Sequence, residues 1–205
     1  MVASAGGLAL VIGSATISQI DTVAAFTDSA RAGGTFNLGD TIDIEASTEF
    51  SGEYSDHDSP DGALKFAPSV SLLPGETTYA GYYLRTTGIS TAANVGTSPV
   101  TNVPESANGL WTHYVTYSAR STTVTGAATC DAAMFTGPAT MNPVPLNASD
   151  PTDVAVDFGL AAESGSVEFV CFQFTLDANV IGDSSLNGQT ASPIWTFTGE
   201  QVPTP

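Results

Sequence analysis

The chain has 205 residues and sets 21 acidic side chains against 4 basic ones, for a formal charge of −17. That balance excludes recognition of nucleic acid or anionic lipid heads through phosphate contacts, which need clustered Lys and Arg. Charged residues nonetheless make up only 12% of the chain and hydrophobic ones 42%, the texture of a folded, neutral-polar β protein rather than of an acidic disordered tail.

In chain order, the first element is an uncharged apolar run from Val2 to Ile20. Its length suits either the apolar core of a secretory signal or a membrane span. Gly6, Gly7, Gly13, Ser4, Ser14 and Ser18 dilute it, and Val23 and Ala25 then stand three and one residues before a cleavable bond to Phe26. Signal peptidases need small side chains at those two places. Residues 1–25 are therefore expected to be a signal peptide cleaved after Ala25, with a retained anchor as the competing reading. On the first reading the mature protein is secreted, a processing signal peptidase is one partner, and the membrane is met only through the precursor. Met1-Val2-Ala3-Ser4 lacks the positive charge of a signal n-region, for which a start assigned too late accounts.

The remaining 180 or so residues suit one domain, expected over 26–200 with a tail at 201–205. Thr35 to Ala46, Thr77 to Thr87, Thr112 to Thr125, Asp153 to Phe158 and Thr190 to Thr198 read as strands, rich in Thr, Val, Tyr and Phe and bounded by turn residues. Val167 to Leu176 is apolar on both faces apart from Glu168 and Gln173, the pattern of a central strand covered on both sides. Ala127 to Met134 is the one candidate for a short turn of helix. The expected class is all-β, an antiparallel sandwich of jelly-roll or immunoglobulin-like type. Ser51 to Gly62 and Pro138 to Pro151 read as turn-rich loops.

Cys130 and Cys171 are the only cysteines. In an exported chain an even count points to a disulfide. It closes a loop of about 40 residues and contributes ~4 kcal/mol in the chain-entropy model. Two separate buried thiols are the alternative. No metal site follows from two cysteines and two unpaired histidines, His57 and His113, because zinc takes three or four protein ligands.

Other chemistry is thinly supported. Asp56, Asp58 and Asp61 form an acidic loop, but Pro60 intrudes and the twelfth position holds Ala67. An EF-hand needs a bidentate Glu there, which leaves a weak cation site or a solvated loop. There is no Gly-x-Ser-x-Gly elbow, and neither histidine lies in a motif that would recruit a serine. Paired carboxylates for glycoside hydrolysis cannot be selected from so many acids. Lys65, the sole lysine, suits either an isopeptide bond or a protective charge on an edge strand. Tyr79, Tyr82, Tyr83, Trp111, Tyr114 and Tyr117 offer a carbohydrate platform or, more ordinarily, core packing. Asn147-Ala148-Ser149 fits a glycosylation sequon. No cofactor and no catalytic activity are expected.

Three motifs resemble one family. Ala24-Ala25-Phe26-Thr27-Asp28-Ser29-Ala30 with Gly34-Thr35-Phe36-Asn37-Leu38-Gly39 and Ile42-Asp43-Ile44, then Leu72-Leu73-Pro74-Gly75-Glu76-Thr77 with Leu84-Arg85-Thr86-Thr87-Gly88, then Leu186 to Thr198 are together similar to the TasA/camelysin family of exported proteins with SipW-type signal peptides. They cover about a third of the chain in the family's order, and Thr91 to Asp153 resembles nothing nameable. The resemblance implies a jelly-roll-type sandwich and an extracellular-matrix or biofilm fibre subunit. It implies assembly by donation of an N-terminal strand, for which the segment carrying Phe26, Phe36 and Leu38 is the candidate. Family members described as proteases would need a zinc motif that this chain lacks. The expected function is thus a self-associating cell-surface or matrix protein. A carbohydrate- or wall-binding sandwich module, or a hydrolase on that scaffold, is the alternative.

Overall fold

The computed structural model describes residues 27–29, 41–57, 73–100, 114–137, 141–148, 150, 155–180 and 193–202. Nine strands occur among them: β1 (Thr27–Ser29), β2 (Ile44–Ser47), β3 (Thr77–Thr86), β4 (Ala93–Thr97), β5 (Val115–Val124), β6 (Val144–Pro145), β7 (Phe158–Leu160), β8 (Val167–Leu176) and β9 (Phe197–Gln201). They form two antiparallel sheets, a four-stranded one in the order β1-β9-β4-β7 and a five-stranded one in the order β2-β3-β8-β5-β6. The expectation of an all-β sandwich holds.

Three ten-residue strands, β3, β8 and β5, make the centre of the larger sheet. Alternation sorts their side chains onto two faces. Val170, Phe172, Phe174 and Leu176 face inward with Tyr82, Leu84, Val115, Tyr117 and Ala119, all buried in one cluster. From the smaller sheet, Ala93, Val95 and Leu160 close a second cluster with Ile42, and Ile44, Phe158 and Phe197 pack against both. Trp195, just before β9, drives between the sheets. Its ring centroid lies 4.6 Å from Phe172, 5.4 Å from Tyr117 and 5.6 Å from Phe174.

β8 is covered on its other face as well, as its sequence predicts. Phe169 and Cys171 are buried with Tyr83 beneath Phe50, Tyr54, Ala128, Cys130, Met134 and Phe135. Gly81, opposite Cys171 in the register, makes room for this cover. A Cβ on Gly81 would lie 2.7 Å from the Phe169 ring and 2.9 Å from the Val170 carbonyl oxygen. The ring therefore lies across the glycine and supplies the packing surface that the strand lacks there.

Where strands differ from expectation, hydrogen-bond supply explains it. Only Ile44–Ser47 of the expected first strand is β among the described residues. The strand expected at Asp153 to Phe158 is instead β7, Phe158–Leu160, because the buried Val156 N–H is satisfied by the Thr97 hydroxyl at 2.9 Å rather than by a ladder. The strand expected at Thr190 to Thr198 starts at Phe197 and runs to Gln201, paired with Ala93. Pro193 has no N–H to give and Trp195 turns into the core. β4 was not anticipated: Ala93, Asn94 and Gly96 are poor strand formers, and its burial alternates only through Ala93, Val95 and Thr97. β6 lies inside the predicted Pro138 to Pro151 loop as a two-residue edge, where Pro145 is tolerated. The expected helical turn is a 3-10 turn, Ala132–Phe135, capped by the Asp131 carboxylate accepting from the Ala133 N–H.

Gly81→Ala is expected to destabilise the fold by about 1–3 kcal/mol through overpacking. Adding Phe169→Leu should recover part of that loss, so a double-mutant cycle in urea should show the two positions coupled.

Candidate functional site

One edge of the smaller sheet is the short strand β1, which lies outside the interior strand β9. β1 pairs antiparallel with β9, Thr27 opposite Glu200, Asp28 opposite Gly199 and Ser29 opposite Thr198. Only three residues hold β1, whereas β4 on the other side pairs with all five residues of β9. Gly199 lets this rim approach the larger sheet, since a Cβ there would lie 2.8 Å from Ile44 Cδ1 and 3.0 Å from Ile42 Cγ2. Val23, Ala25, Phe26, Phe36 and Leu38 lie outside the described residues.

Beside this rim, the outer face of the smaller sheet carries an open groove of about 510 Å³ lined by Asn94, Gly96, Ser98, Asp157, Thr198 and Glu200, among others. Asp157 and Glu200 are exposed. Its groups are mainly hydrogen-bond acceptors of negative or neutral character. Of the acidic-loop candidates, Asp56 is exposed, and Asp58 and Asp61 lie outside the described residues. Among the described residues no three His, Cys, Asp or Glu side chains gather as a metal-binding group.

Cys130 and Cys171 are joined as a disulfide, with Cα atoms 5.3 Å apart. It fastens the 125–137 segment across the centre of β8. The Tyr83 hydroxyl donates to the Ala128 carbonyl at 3.0 Å and accepts from the Ala128 N–H at 2.9 Å, and Arg120 donates to the Gly137 carbonyl. On the flank of the same face, Arg85 pairs with Glu45 at 2.5 Å and stacks 3.9 Å from the centre of the Tyr54 ring. Burial pushes the Tyr54 phenol up, and Arg85 opposes that.

Of the aromatic residues considered for a carbohydrate platform or for core packing, those described mostly take the second role. Tyr82, Tyr83 and Tyr117 are buried, Tyr114 packs against the core, and Tyr79 alone stands half-buried on the outer face. Trp111, His113 and Lys65 lie outside the described residues. The sequence reading missed two features. His57 Nε2 lies 3.2 Å from Ser55 Oγ, a pair two residues apart on an exposed loop. Glu168 is 4% exposed on the inward face of β8, within reach of the Thr123 hydroxyl at 2.8 Å. The in-out alternation of Val167 to Leu176 carries the signal for it, because Glu168 shares the parity of Val170 and Phe172. Burial raises the Glu168 carboxyl above the usual carboxylate range, and the Thr123 and Ser121 hydroxyls partly offset that.

Because its folded pKa is raised, Glu168 holds its proton more tightly in the folded state than in the unfolded chain. The folded state therefore bears the full cost of the buried charge above the folded pKa, and is relieved as pH falls toward the unfolded value. Glu168→Gln is expected to raise the urea midpoint near neutral pH and to lose that advantage under acid, measured as the difference from wild type at each pH. Replacing both Cys130 and Cys171 by Ala should cost ~4 kcal/mol and make the 125–137 segment the first site of limited proteolysis.

The chain matches no protein-family model, no curated protein and no solved structure.

Proposed function

We propose that this is a secreted structural protein of the cell surface or extracellular matrix, similar to the TasA/camelysin family. On this reading it has a jelly-roll-type sandwich and a SipW-type signal peptide removed after Ala25, and its copies associate by exchanging N-terminal strands. The observation that carries the reading is the pairing of β1 with β9 over three residues only. Thr27 is the second residue of the proposed mature chain. Cleavage would therefore free the end of a strand already matched to the β9 rim. β9 lies between β1 and β4, so it becomes an edge only when β1 leaves, and a neighbour's segment could then satisfy the same backbone groups. Each copy would then give one strand and take another. Such a head-to-tail contact does not close on itself and extends as a filament. The charge of the chain sets the conditions: subunits this negative repel one another until salt screens them, over a Debye length of about 10 Å at 0.1 M.

Residues 26–205 are expected to form filaments visible by negative-stain microscopy, and a chain with extra residues before Phe26 to remain dispersed. Pro in place of Thr27 or of Asp28 removes an N–H from β1, and one of the two should abolish filaments while leaving the melting temperature of the monomer nearly unchanged. Filaments should appear with rising NaCl and at lower concentrations of a divalent salt. A mature chain that stays monomeric across that whole range would refute strand exchange.

A further inference from the structure

The outer face of the larger sheet is divided. One half is covered by the 125–137 segment and the loop around Phe50 and Tyr54, with their apolar cluster over Phe169 and Cys171. The other half carries two rows of side chains set by the strand register. Thr116, Thr175 and Thr77 stand abreast on β5, β8 and β3, and Ser118, Gln173 and Tyr79 form the next row. Neighbours in a row lie about 4.8 Å apart, the spacing between strands. All six groups are uncharged in a chain of net charge −17.

The rows are ordered by their own hydrogen bonds. Thr77 and Thr175 share a hydroxyl bond at 3.0 Å. Ser118 donates to Gln173 Oε1 at 3.1 Å, and Gln173 Nε2 donates to the Tyr79 hydroxyl at 3.3 Å. Tyr79 accepts in that chain, so its own O–H remains a donor. The Phe135 ring stands 5.9 Å from Tyr79, tilted by 41°, and bounds the shelf on the side of the disulfide-fastened segment. Tyr79, Gln173, Thr116 and Thr175 are half-buried and Thr77 is exposed, so these five are held in place yet reachable, while Ser118 is buried and serves to orient Gln173 from beneath.

We propose that this shelf binds a neutral, β-linked polysaccharide. A protein partner would be expected to bury a central cluster of apolar, aromatic or arginine anchors, and the two rows offer one aromatic ring, Tyr79, among five polar aliphatic side chains. A polyanion would meet the repulsion of the acidic chain, and the one cation bordering the rows, Arg120, is engaged with the Gly137 carbonyl beside the Phe135 ring. A neutral glycan is a repeating polymer of hydroxyls with apolar ring faces. It meets the evenly spaced hydroxyl and amide groups with its edges and the Tyr79 ring with one face. Strand exchange at the β9 rim uses the other sheet, so glycan binding stands or falls independently of it.

The test is calorimetric titration of the full chain with cellohexaose and with chitohexaose, alginate serving as the anionic comparison. Binding of either neutral hexamer is expected, weakened roughly tenfold or more by Tyr79→Ala and by the paired change Thr116→Val with Thr175→Val, which keeps shape and strand preference while removing hydroxyls. Far-ultraviolet circular dichroism and melting would show that the variants are folded. Absence of binding to both hexamers, binding untouched by both sets of substitutions, or preference for alginate would each overturn the proposal.

Discussion

The rest of the molecule depends on one constraint: β8 must be covered on both faces. Val170, Phe172 and Phe174 are buried on one side, and Phe169 and Cys171 on the other. A sandwich covers only one face of each sheet. The second cover therefore has to come from loops, which hold few backbone hydrogen bonds of their own and are poorly fixed by burial alone. The Cys130–Cys171 bond resolves this by anchoring the covering segment directly to the strand it shields. Around that anchor the smaller contacts fall into place: the Phe169 ring over Gly81, the reciprocal bonds of Tyr83 and Ala128, and the guanidinium of Arg120 on Gly137. Among the described residues the same cover stops at Phe135, beside Tyr79 in the polar rows.

The long strands were legible in the sequence because their physics is local. β3, β5 and β8 follow from alternation and β-branched or aromatic content, and their structural bounds fall within three residues of the expected ones. The doubly apolar pattern of β8 announced its central place, and the cysteine inside it announced the anchor. The short strands were not legible, because their pairing is decided by partners far away in the chain. β4 has little strand preference of its own and is held by β9 about a hundred residues later. Val156 reads as part of a strand but finds its partner in a threonine side chain. The pairing of Thr27–Ser29 with β9 was not legible either, since it too joins segments far apart in the chain. Nothing in Phe197 to Gln201 shows that it is an interior strand, between β1 and β4, until the sheet order is known.

Charge bears on how copies of such a chain can meet. Arg85 and Arg120, the basic residues among those described, are both committed within the molecule, one to Glu45 and Tyr54 and the other to Gly137. They act as struts for the outer cover of the larger sheet and do little to neutralise carboxylates such as Asp157 and Glu200 on the opposite sheet. Face-to-face packing of two smaller sheets would thus bring like charges together over a broad area. Contact along a strand edge is different in kind. It joins backbone N–H and C=O groups, which carry no net charge, and it holds the faces of neighbouring sheets side by side instead of stacked. For a chain with 21 acids, association through the β9 rim is therefore the geometry least opposed by electrostatics. The residual repulsion is of the long-range kind that salt removes. On the proposed reading, the acidic surface suppresses random sticking of faces and leaves the strand edge as the contact that remains.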